Sequence, residues 1–481
     1  MLRSVTISVL VGALTFAAPS APLLADDYGL PSLGSGGSSV STDQEHRLGR
    51  AWLRQFRAQT AAWQDPIAQR YVESVLARLL PYSDLGDTHV IVTLVDSRLL
   101  NAFAVPGGIV GVNSGLFSFA ASEDAFASVL AHELGHLSQR HFARRMERVE
   151  ETQLPTMAAM LAGMVIAAGG GGNAGLAAMA GSQAAFIQDQ LAYSRRFEQE
   201  ADRVGLDAMA DAGFDPQAMP AMFRAMQRLT SLQGGNPPEF LLTHPVTQSR
   251  ISDTQGRADQ LTPRDTHRDD PTYAMIRARA LLELNRSHPA QAMTQLRQDD
   301  PPAAALRYLE ALIAAEQNRT DAALDSLDSL ARELPDLSLI PASAADIALD
   351  AGRRDAALAR VQRILRLAPD YFPARLLQAE ILLQNDPNQA FDVLRELSQQ
   401  APEDPQVFTL LAESAGRSGH EVWGHLARAE QLQLTGRIDR AIRQLEVAED
   451  VARRDDDFGM ISRIEQRREE YLEYRDALQQ L

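Results

Sequence analysis

No cysteine occurs anywhere in the 481 residues. Disulfides, thiolate metal ligands and lipid attachment through a cysteine are therefore excluded. Lysine is missing as well: all 46 basic residues are arginine, which we read as composition bias without functional content. Against them stand 63 acidic residues and a formal net charge of −17, a balance that repels phosphate and disfavours nucleic acid and anionic lipid as partners. Long apolar runs are also wanting. Ser4–Ala18 is uncharged and mostly apolar but shorter than the about 20 residues of a membrane span. Arg3 precedes it and small Ala25 suits cleavage before Asp26, so residues 1–25 read as a cleavable export signal.

What is present divides the chain. The Gly- and Ser-rich stretch after the signal makes 26–44 a flexible linker. Helical pattern runs from about Glu45 to Leu80 with a break near Asp65-Pro66. His89–Val95 reads as a strand, and Ala102–Val105, Pro106-Gly107-Gly108 and Ile109–Val112 as strand, tight turn and strand. Ser122, followed by Glu123 and Asp124, predicts the start of a helix that runs to about Glu151. A further helix is expected over Asp189–Ala212, stopped by Gly213. Polar Gln260–Pro271 marks a boundary, giving a first domain over 45–262 and a second over 268–481.

The second domain repeats. Asp321-Ala-Ala-Leu, Asp355-Ala-Ala-Leu and Asn388-Gln-Ala-Phe share one register with Pro335, Pro369 and Pro402. Small Ala where two helices cross, with Pro ending the unit, is the tetratricopeptide pattern. Asp439-Arg-Ala-Ile is a further copy and Gln291-Ala-Met a weak first one. The fold class expected is mostly α: a first domain with a small β-sheet, followed by an α-solenoid of tetratricopeptide-like repeats.

Chemistry concentrates in His132-Glu133-Leu134-Gly135-His136. Helical i, i+4 spacing puts both imidazoles on one face, where they can share a metal, and Glu133 is placed as general base. Gly135 leaves room for another segment to approach. A catalytic zinc site takes three protein ligands. The candidate third is Glu198, with Asp202 on the same face to orient a ligand imidazole from behind. The bland reading of that stretch is a solvated charged face paired with Arg195, Arg196 and Arg203. His141 falls off the ligand face of a continuous helix and is expected not to be a ligand.

The pattern His132-Glu133-x-x-His136 then Glu198-x-x-x-Asp202 resembles the gluzincin family that contains the CAAX prenyl endopeptidases and the HtpX-type membrane proteases. Asn101-Ala-Phe-Ala-Val-Pro-Gly-Gly108 and Thr243-His244-Pro245 with Arg250 agree with it. Signal and repeats together resemble its exported, repeat-bearing branch of the Gram-negative periplasm. The resemblance implies one zinc ion per subunit on His132, His136 and Glu198, with Glu133 as catalytic base. It makes Asp202 the partner of a ligand histidine and gives His244 and Arg250 supporting or regulatory roles. Asn101, Ala102, Phe103 and Ala104 would form an edge strand on which an extended substrate lies. His244 has two roles open to it: donation to a developing oxyanion, or occupation of the open metal position. The implied partners are protein and peptide substrates and, through the repeats, the outer-membrane β-barrel assembly machinery.

Two further expectations complete the reading. Thr152–Gln188 holds no charge and is divided by Gly169–Gly172, so neither half reads as a span; it is taken as a lid, with buried hairpin helices and peripheral membrane contact as the alternatives. The rival function is a chaperone or assembly scaffold whose zinc is latent or structural. A prenyl-protein enzyme is disfavoured by the export signal.

Overall fold

The computed structural model describes residues 41–85, 89–149, 194–232, 238–264 and 270–478. The expected export signal over 1–25 and the expected lid over 152–188 lie outside the described residues. Helix α1 (Thr42–Gln59) starts on a reciprocal cap: Gln44 N–H donates to Ser41 Oγ at 3.2 Å and Ser41 N–H to Gln44 Oε1 at 2.8 Å. The Asp65-Pro66 break is the start of α2 (Pro66–Leu79). Asp65 Oδ1 accepts from the Ile67 and Ala68 N–H groups at 3.1 and 3.0 Å, and its other oxygen accepts from Arg279 at 2.7 Å.

Three strands follow, β1 (Ile91–Val95), β2 (Ala102–Val105) and β3 (Ile109–Asn113), in the order β1-β3-β2. Central β3 runs parallel to β1 and antiparallel to β2. β1 and β3 are Val/Ile-rich and buried along their length, whereas β2 is buried only at Ala102 and forms an edge. Asn113 N–H donates to Asn101 O at 3.1 Å. By the antiparallel alternation, Phe103 and Val105 also turn their main-chain groups towards β3, and Ala102 and Ala104 turn theirs outwards.

After short α3 (Ser114–Phe119), α4 (Glu123–Ser138) begins at Ser122, whose Oγ accepts from the Ala125 N–H at 3.2 Å. The single helix expected to about Glu151 is broken. α4 stops at Ser138, Arg140 takes φ 49, and α5 resumes over 141–149. A left-handed non-glycine residue interrupts the i→i−4 ladder and costs about 1 kcal/mol. Arg140 is held there by Glu45 of α1, with Nε and Nη2 each 3.0 Å from Oε2. Next come α6 (194–211), α7 (Ala218–Leu232), α8 (Glu239–Thr243) and α9 (Gln248–Ala258). Among the described residues no helix is long and apolar enough to cross a membrane.

From Thr272 the chain is helix upon helix: α10 (Thr272–Leu284), α11 (Pro289–Arg297), α12 (Ala303–Glu316), α13 (Thr320–Glu333), α14 (Leu339–Asp350) and α15 (Arg354–Leu367). α16 (Phe372–Asn385), α17 (Pro387–Gln400), α18 (Pro405–Arg417), α19 (Glu421–Leu434), α20 (Ile438–Arg454) and α21 (Phe458–Leu478) complete the series. The repeat register is visible in the packing. Ala323, Ala357, Ala390 and Ala441 sit at one position of α13, α15, α17 and α20 and are wholly buried, as is Ala292 in α11.

The solenoid grips the peptidase half near its start and again near its end. Near its start, Tyr273 Oη donates to Ala120 O at 2.7 Å and Arg277 Nε to Phe117 O at 2.9 Å, satisfying carbonyls at the end of α3. One apolar core therefore runs from Trp63 to Ile381. Near its end, wholly buried Arg54 of α1 donates to Glu403 at 3.1 and 3.3 Å and to Gln433 at 2.7 Å, beneath the Tyr474 ring. Gly436, at φ 76, allows the α19–α20 turn to press on α1: an added Cβ would lie 2.4 Å from Arg54 O.

Candidate metal centre and cleft

Two helices carry the site, and their close crossing is set by glycine. A Cβ on Gly135 of α4 would lie 2.7 Å from Ala201 O of α6, and one on Gly205 of α6 would lie 3.0 Å from Ala131 O of α4. With both side chains missing, the backbones approach, and the polar faces of α4 and α6 meet in a buried layer. His132, Glu133, Glu198 and Asp202 are 1, 1, 5 and 2% exposed, which demands internal partners for every charge.

The partners are one another. His132 Nε2 lies 3.1 Å from His136 Nε2 and 3.5 Å from Glu198 Oε2, and His136 Nε2 lies 3.4 Å from Glu198 Oε1. His244, at the end of α8, brings Nδ1 to 3.1 Å from Glu198 Oε1 and 3.3 Å from His132 Nε2. One donor atom from each of the four residues falls within 4.8 Å of the others. His132 Nδ1 faces Asp202 Oδ1 at 2.9 Å, so its hydrogen belongs there and the Nε2 lone pair faces the cluster. Lone pairs converging at such separations suit a cation in their midst. Ligands at 2.0–2.1 Å in a tetrahedron stand about 3.3 Å apart, close to what these four residues offer.

Electrostatics agree with the geometry. Burial opposes charge on Glu198, but hydrogen bonds from His132 and His244 outweigh it and hold the carboxyl far below the usual range. Burial likewise opposes charge on His132, yet Asp202 and Glu198 raise its pKa to about 9 in the metal-free protein, where a proton takes the cation's place. Burial, with His132 next, keeps His136 neutral. Arg250 of α9 binds the carboxylates from behind, donating Nε and Nη2 to Asp202 at 2.7 Å each and placing Nη1 2.9 Å from Glu198. The same Nη1 donates to Pro245 O at 2.9 Å, which fixes the loop carrying His244.

Glu133 occupies the boundary between this cluster and an open cleft of about 890 Å³. Its Oε1 makes no hydrogen bond among the described residues and lies 3.6 Å from His244 Nε2. Burial raises its pKa, and the Ala104 N–H of β2 is a hydrogen-bond donor to it. Asn101, Phe103 and Ala104 line the cleft with Glu133, His136 and His244. Ala102 is buried in the sheet, with its main-chain groups on the outer edge. Trp52 and Phe56 of α1 close the far wall, each edge-on to Phe103 with ring centroids 5.6 and 5.3 Å away.

Residues 66–258, from α2 to the end of α9, match the model for peptidase family M48, and 348–414 match the model for the tetratricopeptide repeat. A protein of Vibrio cholerae is 36% identical over 440 residues, covering 89% of this chain and 90% of its own. The beta-barrel assembly-enhancing protease of Escherichia coli K12 is 31% identical over 457 residues, covering 93% and 92%. This chain belongs to peptidase family M48. Within that family it stands with the beta-barrel assembly-enhancing proteases, and it is a metallopeptidase bearing tetratricopeptide repeats. The mitochondrial metalloendopeptidase OMA1 of Schizosaccharomyces pombe is similar over a shorter part, 32% over 184 residues, covering 38% of this chain and 50% of its own.

Sequence reasoning missed the outer partners of His136. His141 Nδ1 lies 2.9 Å from His136 Nδ1, and Glu200 and Arg144 stand behind it. No spacing rule reveals this, because it depends on the helix break at Arg140.

Proposed function

We propose that this chain is a zinc-dependent endopeptidase of the bacterial periplasm. It cleaves unfolded or misassembled envelope proteins, with outer-membrane β-barrel proteins as clients. What supports this reading is the convergence of His132, His136 and Glu198 beside Glu133, a buried carboxylate whose free oxygen faces an open cleft. Two imidazoles and a carboxylate are the donor set of catalytic zinc, and His132, His136 and Glu198 would hold one ion per subunit.

A zinc ion held there supplies Lewis acidity that polarises a scissile carbonyl and lowers the pKa of water towards about 7. Glu133 takes the proton of the attacking water and passes it to the leaving amine. Burial favours its protonated form, which suits a base that must hold a proton between two steps. Ala102, through both main-chain groups, and Ala104, through its carbonyl, face outwards to an extended substrate, a mode that selects unfolded segments over compact domains. The Ala104 N–H, by binding Glu133, ties the base to that strand. Asp202 and Arg250 keep His132 and Glu198 in orientation.

In the proposed layout 1–25 is the export signal and 268–481 the repeat domain; the linker expected over 26–44 is cut short by α1, which already begins at Thr42, so the peptidase domain runs from α1 to 262. Stacked repeat helices offer a long surface for clients or for the β-barrel assembly machinery. His244 favours a second reading. As a fourth donor it closes the site in the manner of structural zinc, which suits an assembly scaffold with latent metal. Digestion of casein by the mature chain and by Glu133→Gln, at matched zinc content, separates the two. Cleavage by the first alone is expected; equal cleavage by both removes Glu133 from the mechanism, and full assembly function without Glu133 favours the scaffold.

A further inference from the structure

We propose that His141 is a positioning residue for His136. It forms an imidazole–imidazole–carboxylate chain, His136–His141–Glu200, that fixes the orientation and tautomer of one metal ligand as Asp202 does for the other. The inference rests on the metal-centre reading above.

On an unbroken helix a residue five positions after His136 points elsewhere. The turn at Gln139 and left-handed Arg140 changes that, and His141 arrives with Nδ1 2.9 Å from His136 Nδ1. Two imidazole nitrogens at that distance share one hydrogen. His136 Nε2 faces the donor cluster, so the shared hydrogen belongs to His136 Nδ1 and His141 accepts it. The hydrogen of His141 then lies on Nε2, where Glu200 Oε2 accepts it at 3.2 Å. Arg144 Nη1 donates to the same oxygen at 2.9 Å. The tautomer is thus dictated from the carboxylate inwards, and it leaves the Nε2 lone pair of His136 facing the cluster.

Packing holds the ring in this attitude. His141 is buried and lies flat against Phe197, ring centroids 4.2 Å apart at 20°. Phe197 directly precedes Glu198, so the stack links α5 to the turn of α6 that bears the carboxylate of the centre. At the other end, Arg140 keeps its strained backbone through the ion pair with Glu45. The two histidines of α4 are consequently backed differently. His132 meets an anion directly, whereas His136 meets a neutral ring with an anion behind it.

The test uses the mature chain, zinc affinity by competition with a chromophoric chelator, the visible spectrum of the cobalt-substituted protein, and melting of the metal-free form. His141→Phe keeps a ring against Phe197 but has no acceptor; His141→Asn restores an acceptor near the Nδ1 position. Expected are an about 10–100-fold loss of zinc affinity and a shifted cobalt spectrum in His141→Phe, largely recovered in His141→Asn. Metal-free melting should be little changed in both. Glu200→Gln should lose affinity in the same direction by less, and it carries the test alone if His141→Phe does not fold. Parental affinity and spectrum in His141→Phe, or in Glu200→Gln where that variant stands alone, overturn the inference. So does an equal loss in His141→Asn and His141→Phe. A parent chain that takes up no zinc removes the metal centre itself, a failure distinct from zinc uptake indifferent to His141.

Discussion

His244 and Glu198 meet at 3.1 Å, Nδ1 to Oε1, and the same nitrogen stands 3.3 Å from His132 Nε2. In the proposed zinc site a fourth donor so placed would compete with substrate for the metal. The loop that carries it is held through Pro245 by Arg250, so displacement requires a movement at that loop. If the displaced state is populated at about 1–10%, the apparent activity is reduced by the same fraction. His244→Ala should therefore raise casein cleavage about 10–100-fold while zinc stays bound to three protein ligands. Zinc content and initial rates decide it; a variant with full zinc and no gain would show that His244 does not restrain the site.

Metal uptake should depend on pH in a direction set by His132. In the metal-free chain its pKa is raised to about 9, burial being outweighed by Asp202 and Glu198. The ring must lose that proton to bind a cation. Zinc affinity should thus rise about tenfold per pH unit from pH 7 and flatten near pH 9. The same shift makes a stabilising contribution to the metal-free fold that is complete below about pH 6.5 and is lost as pH rises through about 9. Chelator competition at three pH values measures the slope, and a flat profile would rule out His132 as the proton that zinc replaces.

Much of this architecture was legible in residue order, because its signals are local. Ser122 announces a helix start through its own side chain, Asp65-Pro66 marks a break, Pro106-Gly107-Gly108 announces a turn, and the buried Ala of each repeat keeps a fixed register. The pairing of α4 with α6 was legible as well, since Gly135 and the Glu198/Asp202 spacing each advertise one side of the crossing. What could not be read was whatever depends on a backbone departure without a sequence mark. Arg140 carries no sign of its left-handed conformation; Glu45, 95 positions earlier, holds it there. With that turn hidden, the sequence places His141 off the ligand face of His136. Arg54 and Glu403 were equally silent, for their meeting depends on the curvature of the whole solenoid.

Glu403 is the common anion for three arginines of α1, at 3.5 Å from Arg50, 3.1 Å from Arg54 and 3.8 Å from Arg57. Burial opposes its charge, but the arginines, Arg54 first, hold its pKa below the ordinary value. Glu403→Gln removes the anion shared by three packed guanidinium groups and should cost about 3 kcal/mol. Because Trp52 and Phe56 of α1 pack on Phe103 of β2, loosening α1 should also weaken binding of extended peptides. Urea unfolding and peptide KM test the two halves. Unchanged stability would show that the arginines do not need this partner.

Glu380 of α16 offers the opposite sign. Burial raises its pKa to about 7, and Asp346 of α14 adds to the shift; the hydrogen bond from Gln406, at 2.9 Å, only partly offsets them. A carboxyl raised in the folded state contributes stability that is complete below its unfolded value near 4.5 and is lost as pH climbs through about 7. Glu380→Gln keeps an oxygen for Gln406 but never ionises. Discounted for its partial exposure, the substitution should stabilise the chain by about 1 kcal/mol at pH 8 and by nothing at pH 4.5. The gap should open between those limits and stay constant above pH 8. Paired thermal melts across the range would show it, and parallel curves at every pH would mean that Glu380 titrates as a solvated carboxylate.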